Sequence, residues 1–154
     1  MKKLVLLGLA GFTFFCAGSQ REMLSQPQSQ RVNVTLRGQT LDDLDVALHP
    51  WRLKLERTTM ELSLVDATGP GPTGLIKEWQ VNNDAPDKTD KERCPAFHSD
   101  WVQLGNRVST ISIQPFGDTL PTPDGRVCRY TIILRPRNES DSTISVDPEY
   151  RLGP

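Results

Sequence analysis

Residue types that carry metal and nucleophilic chemistry are scarce in this sequence. It has three cysteines and two histidines in 154 residues, and Cys94 and His98 form the one pair at ligand-like spacing. A structural zinc site usually takes four such ligands in two close pairs. The Gly-x-Ser-x-Gly motif of many serine hydrolases is also missing. We therefore predict no metal site, no cofactor and no catalytic residue, and we expect a protein that is not an enzyme.

Two weaker catalytic patterns are disfavoured on geometric grounds. His98, Ser99 and Asp100 are consecutive, and neighbours on a strand point to opposite faces, whereas a catalytic triad draws its members from separated segments. Glu78 and the other strand glutamates are expected on solvent-facing sides. A glycosidase instead needs two carboxylates held rigidly at a set distance.

Long apolar runs are absent as well. Hydrophobic residues make up 36% of the chain. The longest apolar stretch, within 4–15, is about a dozen residues, shorter than the roughly 20 that a spanning helix needs, so we predict no membrane span. Lys2 and Lys3 precede this stretch and small residues follow it, which is the layout of a secretory signal peptide, here of bacterial type. We assign 1–18 to the signal peptide, 19–30 to a flexible lead and 31–154 to a β-sandwich domain.

The position of Cys16 leaves two interpretations of the processing site. A lipoprotein signal carries a small residue directly before the lipid-bearing cysteine, and here that residue is Phe15. Cleavage after Gly18 or Ser19 would remove Cys16 instead, because these positions satisfy the small-residue rule. We expect a periplasmic or secreted protein, and a lipid anchor at Cys16 is the alternative.

Removal of Cys16 leaves an even pair of thiols. In an oxidising compartment Cys94 and Cys128 are expected to form a disulfide. The bond would close a loop of about 35 residues and stabilise the fold by about 3–4 kcal/mol in the chain-entropy account.

Neither sign of charge dominates the composition. The chain has 18 Lys and Arg against 19 Asp and Glu, for a formal charge of −1. Nucleic-acid-binding domains usually present a basic face, so we predict a protein or envelope component as the partner and no nucleic acid. The 12 prolines and 11 glycines indicate many turns and disfavour a helical bundle.

Apolar and polar residues alternate through most of the remaining chain. The pattern is clear in 31–37 (RVNVTLR), 51–57 (WRLKLER), 59–65 (TMELSLV) and 126–134 (RVCRYTIIL). Alternation with turn signals every ten residues or so predicts an all-β fold, a single antiparallel β-sandwich. Trp101 follows Cys94 too closely for the immunoglobulin pattern, so the fold is Ig-like in general architecture only.

One stretch departs from this alternation. Leu41, Leu44 and Leu48 lie at helical spacing, and Thr40 with Asp43 resembles a capping box. These residues predict one short helix near 40–48.

The aromatic residues divide into core and surface candidates. Trp51 and Trp79 share strand faces with aliphatic residues and are expected in the core. Phe97 and Trp101 lie near the disulfide among polar residues, and we predict that this pair forms an exposed binding patch.

Loops at 66–74, 82–93 and 117–125 are the other candidate recognition elements, since binding residues are often on loops of a rigid sheet. The proline-framed loop near 119–125 is the most specific of them, and its candidate residues are Leu120, Pro121, Pro123 and Asp124.

These features predict an exported, non-enzymatic binding or structural protein of the bacterial cell envelope. A periplasmic inhibitor or immunity-type protein that blocks a partner enzyme is the first alternative, and it would present one rigid protruding loop. An envelope hydrolase with an unrecognised site is the second alternative, and it would present a cleft with converging polar groups.

Overall fold

A computed structural model describes residues 29–56, 58–83, 94–117, 122, 124–138 and 140–152. All regular structure in these residues is β-strand, which confirms the all-β prediction. The predicted signal peptide, most of the flexible lead and Cys16 lie outside the described residues. The strands are β1 (Gln30–Gly38), β2 (Asp45–His49), β3 (Arg52–Leu55), β4 (Met60–Thr68), β5 (Ile76–Asn83), β6 (Phe97–His98), β7 (Val102–Gln103), β8 (Val108–Ile113), β9 (Val127–Arg129), β10 (Thr131–Pro136), β11 (Ile144–Val146) and β12 (Glu149–Leu152).

The strands form three sheets around one core. Four strands pair in the order β2-β1-β4-β8, and a second sheet has the order β11-β10-β5-β6, with β7 also paired to β5. The third sheet is the short set β3-β12-β9. Most pairs are antiparallel, but β1 runs parallel to β4 and β12 runs parallel to β3. A parallel pair needs a crossover rather than a hairpin, and here the chain leaves the first sheet through β3 before it returns as β4.

Period-two alternation places the core residues where the sequence predicts them. In β1 the buried side chains are Val32, Val34 and Leu36. In the β9–β10 segment every second residue from Cys128 to Leu134 is buried. Side chains on one face of a strand recur every two residues, so the buried set of each strand follows directly from the pattern.

Trp51 is an exception, because it is 47% exposed. It precedes the first residue of β3 and therefore does not follow that strand's alternation, so the core prediction is wrong for this residue. Trp79 is fully buried as predicted, and its indole Nε1 donates a hydrogen bond of 2.6 Å to the Ser109 hydroxyl.

The predicted helix near 40–48 is wrong. Residues 45–49 form β2, which pairs antiparallel with β1. The capping-box contact exists locally, since the Thr40 amide donates to the Asp43 carboxylate at 2.6 Å. The chain nevertheless turns into a strand after that contact, because all residues of β2 are in antiparallel register with β1 and alternate ones can exchange backbone hydrogen bonds with it.

The disulfide prediction is confirmed. Cys94 and Cys128 are bonded, with Cα atoms 5.7 Å apart, and both side chains are buried. The bond ties the segment before β6 to the third sheet through β9. It is compatible with an oxidising extracellular compartment. Within the part of the chain that the structure describes, no helix is long and apolar enough to cross a membrane.

Candidate functional site

Three loops meet at one end of the domain. They connect β1 to β2, β4 to β5, and β10 to β11. Between them lies a hollow of about 470 Å³. The residues that line it come from all three loops and from the last residue of β10: Gln39, Thr40, Leu41, Asp42, Gly74, Leu75, Pro136, Arg137, Asn138 and Asp141.

The β4–β5 loop, residues 69–75, is fixed at its base by a buried carboxylate. Asp66 is fully buried near the end of β4. Its carboxylate accepts hydrogen bonds from the Thr68 amide at 2.9 Å and from the Ile76 amide at 3.2 Å. The Thr68 hydroxyl also donates to Asp66, at 2.5 Å, and accepts from the Leu75 amide at 2.8 Å. One acidic side chain therefore joins the two ends of the loop.

A close approach inside this loop requires glycine. Gly74 has a φ of 66°, in the left-handed region, and a Cβ there would collide with the Asp66 carboxylate. Glycine adopts this φ without the steric cost that other residues meet. The Asp-x-Thr spacing ahead of a breaker-rich segment is a side-chain-to-backbone turn signal that sequence reasoning could have used.

Two arginines hold the outer part of the same loop. Arg107 donates to the backbone carbonyls of Asp66 at 2.9 Å and of Gly69 at 3.3 Å, and also to that of Gly71. From the other side, Arg137 donates to the Thr73 carbonyl at 2.8 Å. Charged donors make stronger hydrogen bonds than neutral ones, so the backbone of this loop is held in one conformation.

Residues 70–73 at the tip of the loop are nonetheless exposed. Their sequence, Pro-Gly-Pro-Thr, presents two proline rings to solvent. Proline fixes its own φ near −65°, which restricts Pro70 and Pro72. The carbonyl of Gly71 between them accepts a hydrogen bond from Arg107.

The β1–β2 loop has its own polar anchor. The Asp43 carboxylate accepts from the amides of Gln39 at 3.1 Å and of Thr40 at 2.6 Å, and from the Thr40 hydroxyl at 2.8 Å. The Thr40 amide first, and then the Gln39 amide, hold the pKa of Asp43 below its ordinary value. The Gly69 amide donates to the Gly38 carbonyl at 2.8 Å, which links this loop to the β4–β5 loop.

No protein-family model, curated protein or solved structure matches this chain. The site is therefore interpreted from its own geometry.

The predicted patch of Phe97 and Trp101 is not a joined pair of exposed rings. Both side chains are half-buried, and Phe97 packs against the core. Trp101 lies under the Arg135 guanidinium, 3.9 Å from the ring centroid. Among the described residues, the aromatic ring contact is between Tyr130 and Tyr150.

Glu78 shows why Trp101 is held in place. The structure buries this glutamate, with 7% of its surface exposed, so its predicted solvent-facing position is wrong. Its carboxylate accepts from Arg135 and from the Gln103 side chain. Arg135 therefore bridges a buried acid and an aromatic face, an arrangement that favours the cation–π contact.

The predicted recognition loop near 119–125 falls mostly outside the described residues, including Leu120, Pro121 and Pro123. Asp124 is described and exposed. The Arg126 side chain donates to the Asp124 carboxylate and lowers the pKa of that carboxyl. The Arg126 amide donates to the same carboxylate at 3.0 Å.

The segment 98–100 has a backbone role. The Ser99 hydroxyl accepts from the Val81 amide at 2.9 Å and donates to the Asp100 carbonyl at 3.1 Å. His98 is exposed on β6. In the described part of the chain, no three side chains of the metal-ligating types lie close enough to hold a metal ion.

Proposed function

We propose that this protein is an exported, non-enzymatic binding module whose main recognition element is the β4–β5 loop. The observation that carries the proposal is the exposed tip at 70–73 on a backbone held by Asp66, Arg107 and Arg137. A loop that is already ordered loses little conformational freedom on binding, which favours affinity. Surface loops on rigid sheets commonly carry recognition.

The same observation favours an inhibitor or immunity-type protein as the second candidate. Such a protein inserts a rigid loop into the site of a partner enzyme, and protease–inhibitor interfaces move little on binding. The exposed pair Pro70 and Pro72 has the stiffness that this role requires.

A pull-down from envelope extract with the mature chain as bait tests the proposal. The substitution Pro72→Arg changes the tip without touching its anchors. Ser112→Arg is the matched control, because Ser112 is exposed on β8 and pairs with Glu61, at the opposite end of β4 from the loop. A partner of the tip is captured by the wild type and by Ser112→Arg, and is lost with Pro72→Arg. A protein captured equally by all three forms would overturn the assignment of the tip.

A second variant tests the rigidity of the loop. Arg137→Ala removes the hydrogen bonds to the carbonyls of Thr73 and Gly74, and one to the carbonyl of Leu104, but leaves the sequence of the tip unchanged. We expect affinity for the captured partner to fall about tenfold, since the loop must then be ordered on binding. Arg37→Ala removes an equal charge from an exposed position of β1 and should leave affinity unchanged. Equal affinity for the Arg137→Ala and wild-type forms would contradict the role of preorganisation.

If the captured partner is an enzyme, its activity separates the two candidates. Saturating amounts of the wild-type chain stop turnover in the inhibitor case, and leave it unchanged in the case of a simple binding module.

A further inference from the structure

The solvent-facing side of the third sheet collects positive charge. The side chains that alternate outward are Arg52 and Lys54 on β3, Glu149 and Arg151 on β12, and Val127 and Arg129 on β9. We call this set the basic face. It carries four cations and one carboxylate, and with Glu56, which pairs with Lys54 just past the end of β3, the net charge is +2, whereas the whole chain has a formal charge of −1. The near-neutral charge of the whole chain therefore does not indicate the local positive charge of this face.

Part of this charge is balanced only weakly. Glu149 contacts Arg52 at 3.2 Å and Arg129 at 3.6 Å, and these arginine side chains remain 78% and 77% exposed. Lys54 contacts Glu56 at 2.8 Å, with both side chains about half exposed. Solvent-exposed ion pairs of this kind contribute little to stability, so the cations stay accessible to an incoming anion.

The register brings two like charges side by side. Arg151 is the direct partner of Lys54 across the parallel pair of β12 and β3. Adjacent strands lie about 4.8 Å apart, and like charges directly opposite one another destabilise a sheet. Arg151 donates to the Gly125 carbonyl at 3.2 Å, and no carboxylate among the described residues forms an ion pair with it. An anion between Lys54 and Arg151 would relieve this repulsion.

Three of the four cations of the basic face line a hollow of about 570 Å³. They are Arg52, Lys54 and Arg151, and the exposed Val127 lies beside them. Three strands of up to four residues give a face of roughly 10 by 13 Å. That area suits a short stretch of a flexible chain.

We infer that the basic face binds an acidic polysaccharide, with Lys54 and Arg151 contacting successive anionic groups of the sugar chain. Charge complementarity gives the sign of the ligand. Arginine pairs bidentately with carboxylate, sulfate and phosphate groups, all of which such chains carry.

Other anionic partners fit this face less well. Single-stranded nucleic acid uses aromatic platforms for its bases. The aromatic residue that lines the hollow, Tyr150, is fully buried, and the exposed Trp51 is not among the lining residues.

An acidic peptide that adds as a strand would need an open edge of this sheet, at β3 or at β9. At β9 the sulfur of Cys94 lies against the Val127 carbonyl, at 3.8 Å, and β3 is blocked as well. The Gln30 side chain occupies the edge of β3, since it donates to the Lys54 carbonyl at 2.6 Å and accepts from the Glu56 amide at 2.5 Å. A membrane surface is flat and does not fill a recess.

Calorimetric titration of the mature protein tests the inference. The probes are a heparin octasaccharide (sulfated), oligogalacturonate (carboxylated) and neutral dextran as the uncharged control. We expect binding of at least one acidic chain, no binding of dextran, and a fall in affinity as sodium chloride is raised from 50 to 300 mM, because salt screens exposed charges.

The deciding comparison uses two double variants with equal charge change. Lys54→Gln with Arg151→Gln alters the basic face, and Arg31→Gln with Arg37→Gln removes two exposed cations from β1. We expect the first double variant to weaken binding of the acidic chain at least tenfold and the second less than threefold. The Tm of both variants should lie within a few degrees of that of the wild type. Equal losses would mean that net charge alone is responsible, and the inference would be overturned.

The remaining outcomes are also decisive. Failure of the wild type to bind any acidic chain at 50 mM salt would refute the inference. Tighter binding of phosphatidylglycerol vesicles or oligo-dT than of either polysaccharide would assign the face to a lipid surface or to nucleic acid instead. Pro72→Arg should leave polysaccharide binding unchanged, so the basic face and the β4–β5 loop are tested separately.

Discussion

Asp66→Asn is the most direct test of how the β4–β5 loop is held. The change keeps the size of the buried side chain but removes its charge. In the wild type the backbone amide of Ile76 donates to the Asp66 carboxylate at 3.2 Å. If the side-chain oxygen of the asparagine faces Thr68, its NH₂ group faces the Ile76 amide. Two donors then oppose each other in a buried site.

The cost follows from the hydrogen bonds that change. Losing a charge-assisted bond and leaving a buried donor without an acceptor costs about 1.5–3 kcal/mol, and conversion of the two Thr68 bonds to neutral ones adds roughly 0.5–1 kcal/mol. We expect a total loss of about 3 kcal/mol in the free energy of unfolding. For a domain of this size that corresponds to a fall in Tm of about 10 °C.

Urea unfolding followed by tryptophan fluorescence measures this loss, because Trp79 is fully buried in the folded state. Asp45→Asn is the matched control, since Asp45 is exposed at the start of β2 and undergoes the same change of charge. Its effect should stay within about 0.5 kcal/mol.

Amide hydrogen exchange adds a local readout for Asp66→Asn. The amides of Leu75 and Ile76 should exchange faster in the variant, because the Asp66–Thr68 network protects both. Two results together would refute the view that this carboxylate fixes the loop. The free energy of unfolding of Asp66→Asn would lie within 0.5 kcal/mol of that of the Asp45→Asn control, and the Leu75 and Ile76 amides would exchange at the wild-type rate.

Three further changes test the β4–β5 loop, the disulfide and the buried tyrosines. Gly74→Ala places a methyl group against a buried carboxylate at a φ of 66°, and thermal unfolding should show a loss above about 2 kcal/mol, whereas Gly71→Ala, with open space around it, serves as the control. Replacement of both Cys94 and Cys128 by alanine should lower the unfolding free energy by about 3–4 kcal/mol, measured by urea denaturation; a loss below 1 kcal/mol would contradict the entropic account. Burial raises the pKa of the Tyr130 and Tyr150 hydroxyls, so the unfolded chain releases these protons first and stability falls as pH rises above about 10, by up to roughly 1.4 kcal/mol per pH unit for each group. Replacement of both tyrosines by phenylalanine should remove this part of the decline. If the unfolding free energy of the wild type and of the double variant falls equally steeply between pH 9 and 11, the explanation is refuted.

Local pattern predicted the strands well and the loops poorly. The buried residues of β1, β4 and β10 follow from period-two alternation, since each strand has one face toward the core. The helical spacing of Leu41, Leu44 and Leu48 is just as regular, yet β2 forms there because the β1 edge supplies backbone partners. Local periodicity describes a single segment and does not include what lies beside it.

The candidate site could not be predicted because its anchors are distant in sequence. Arg107 and Arg137 follow the β4–β5 loop by more than thirty residues, as the contacts to Gly69 and to Thr73 show. Their charges resemble those of any other surface arginine in the printed sequence. Only the fold aims them at the carbonyls of one loop.

By itself the sequence determined the all-β class, the core face of most strands and the pairing of Cys94 with Cys128. These properties depend on side-chain alternation and on the parity of two thiols, which are local or combinatorial. Tertiary structure decided the parallel pairing of β3 with β12, and with it the placement of Lys54 beside Arg151. Strand register is set by the packing of distant segments, so the charge of a face is a property of the assembled sheet and not of any one strand.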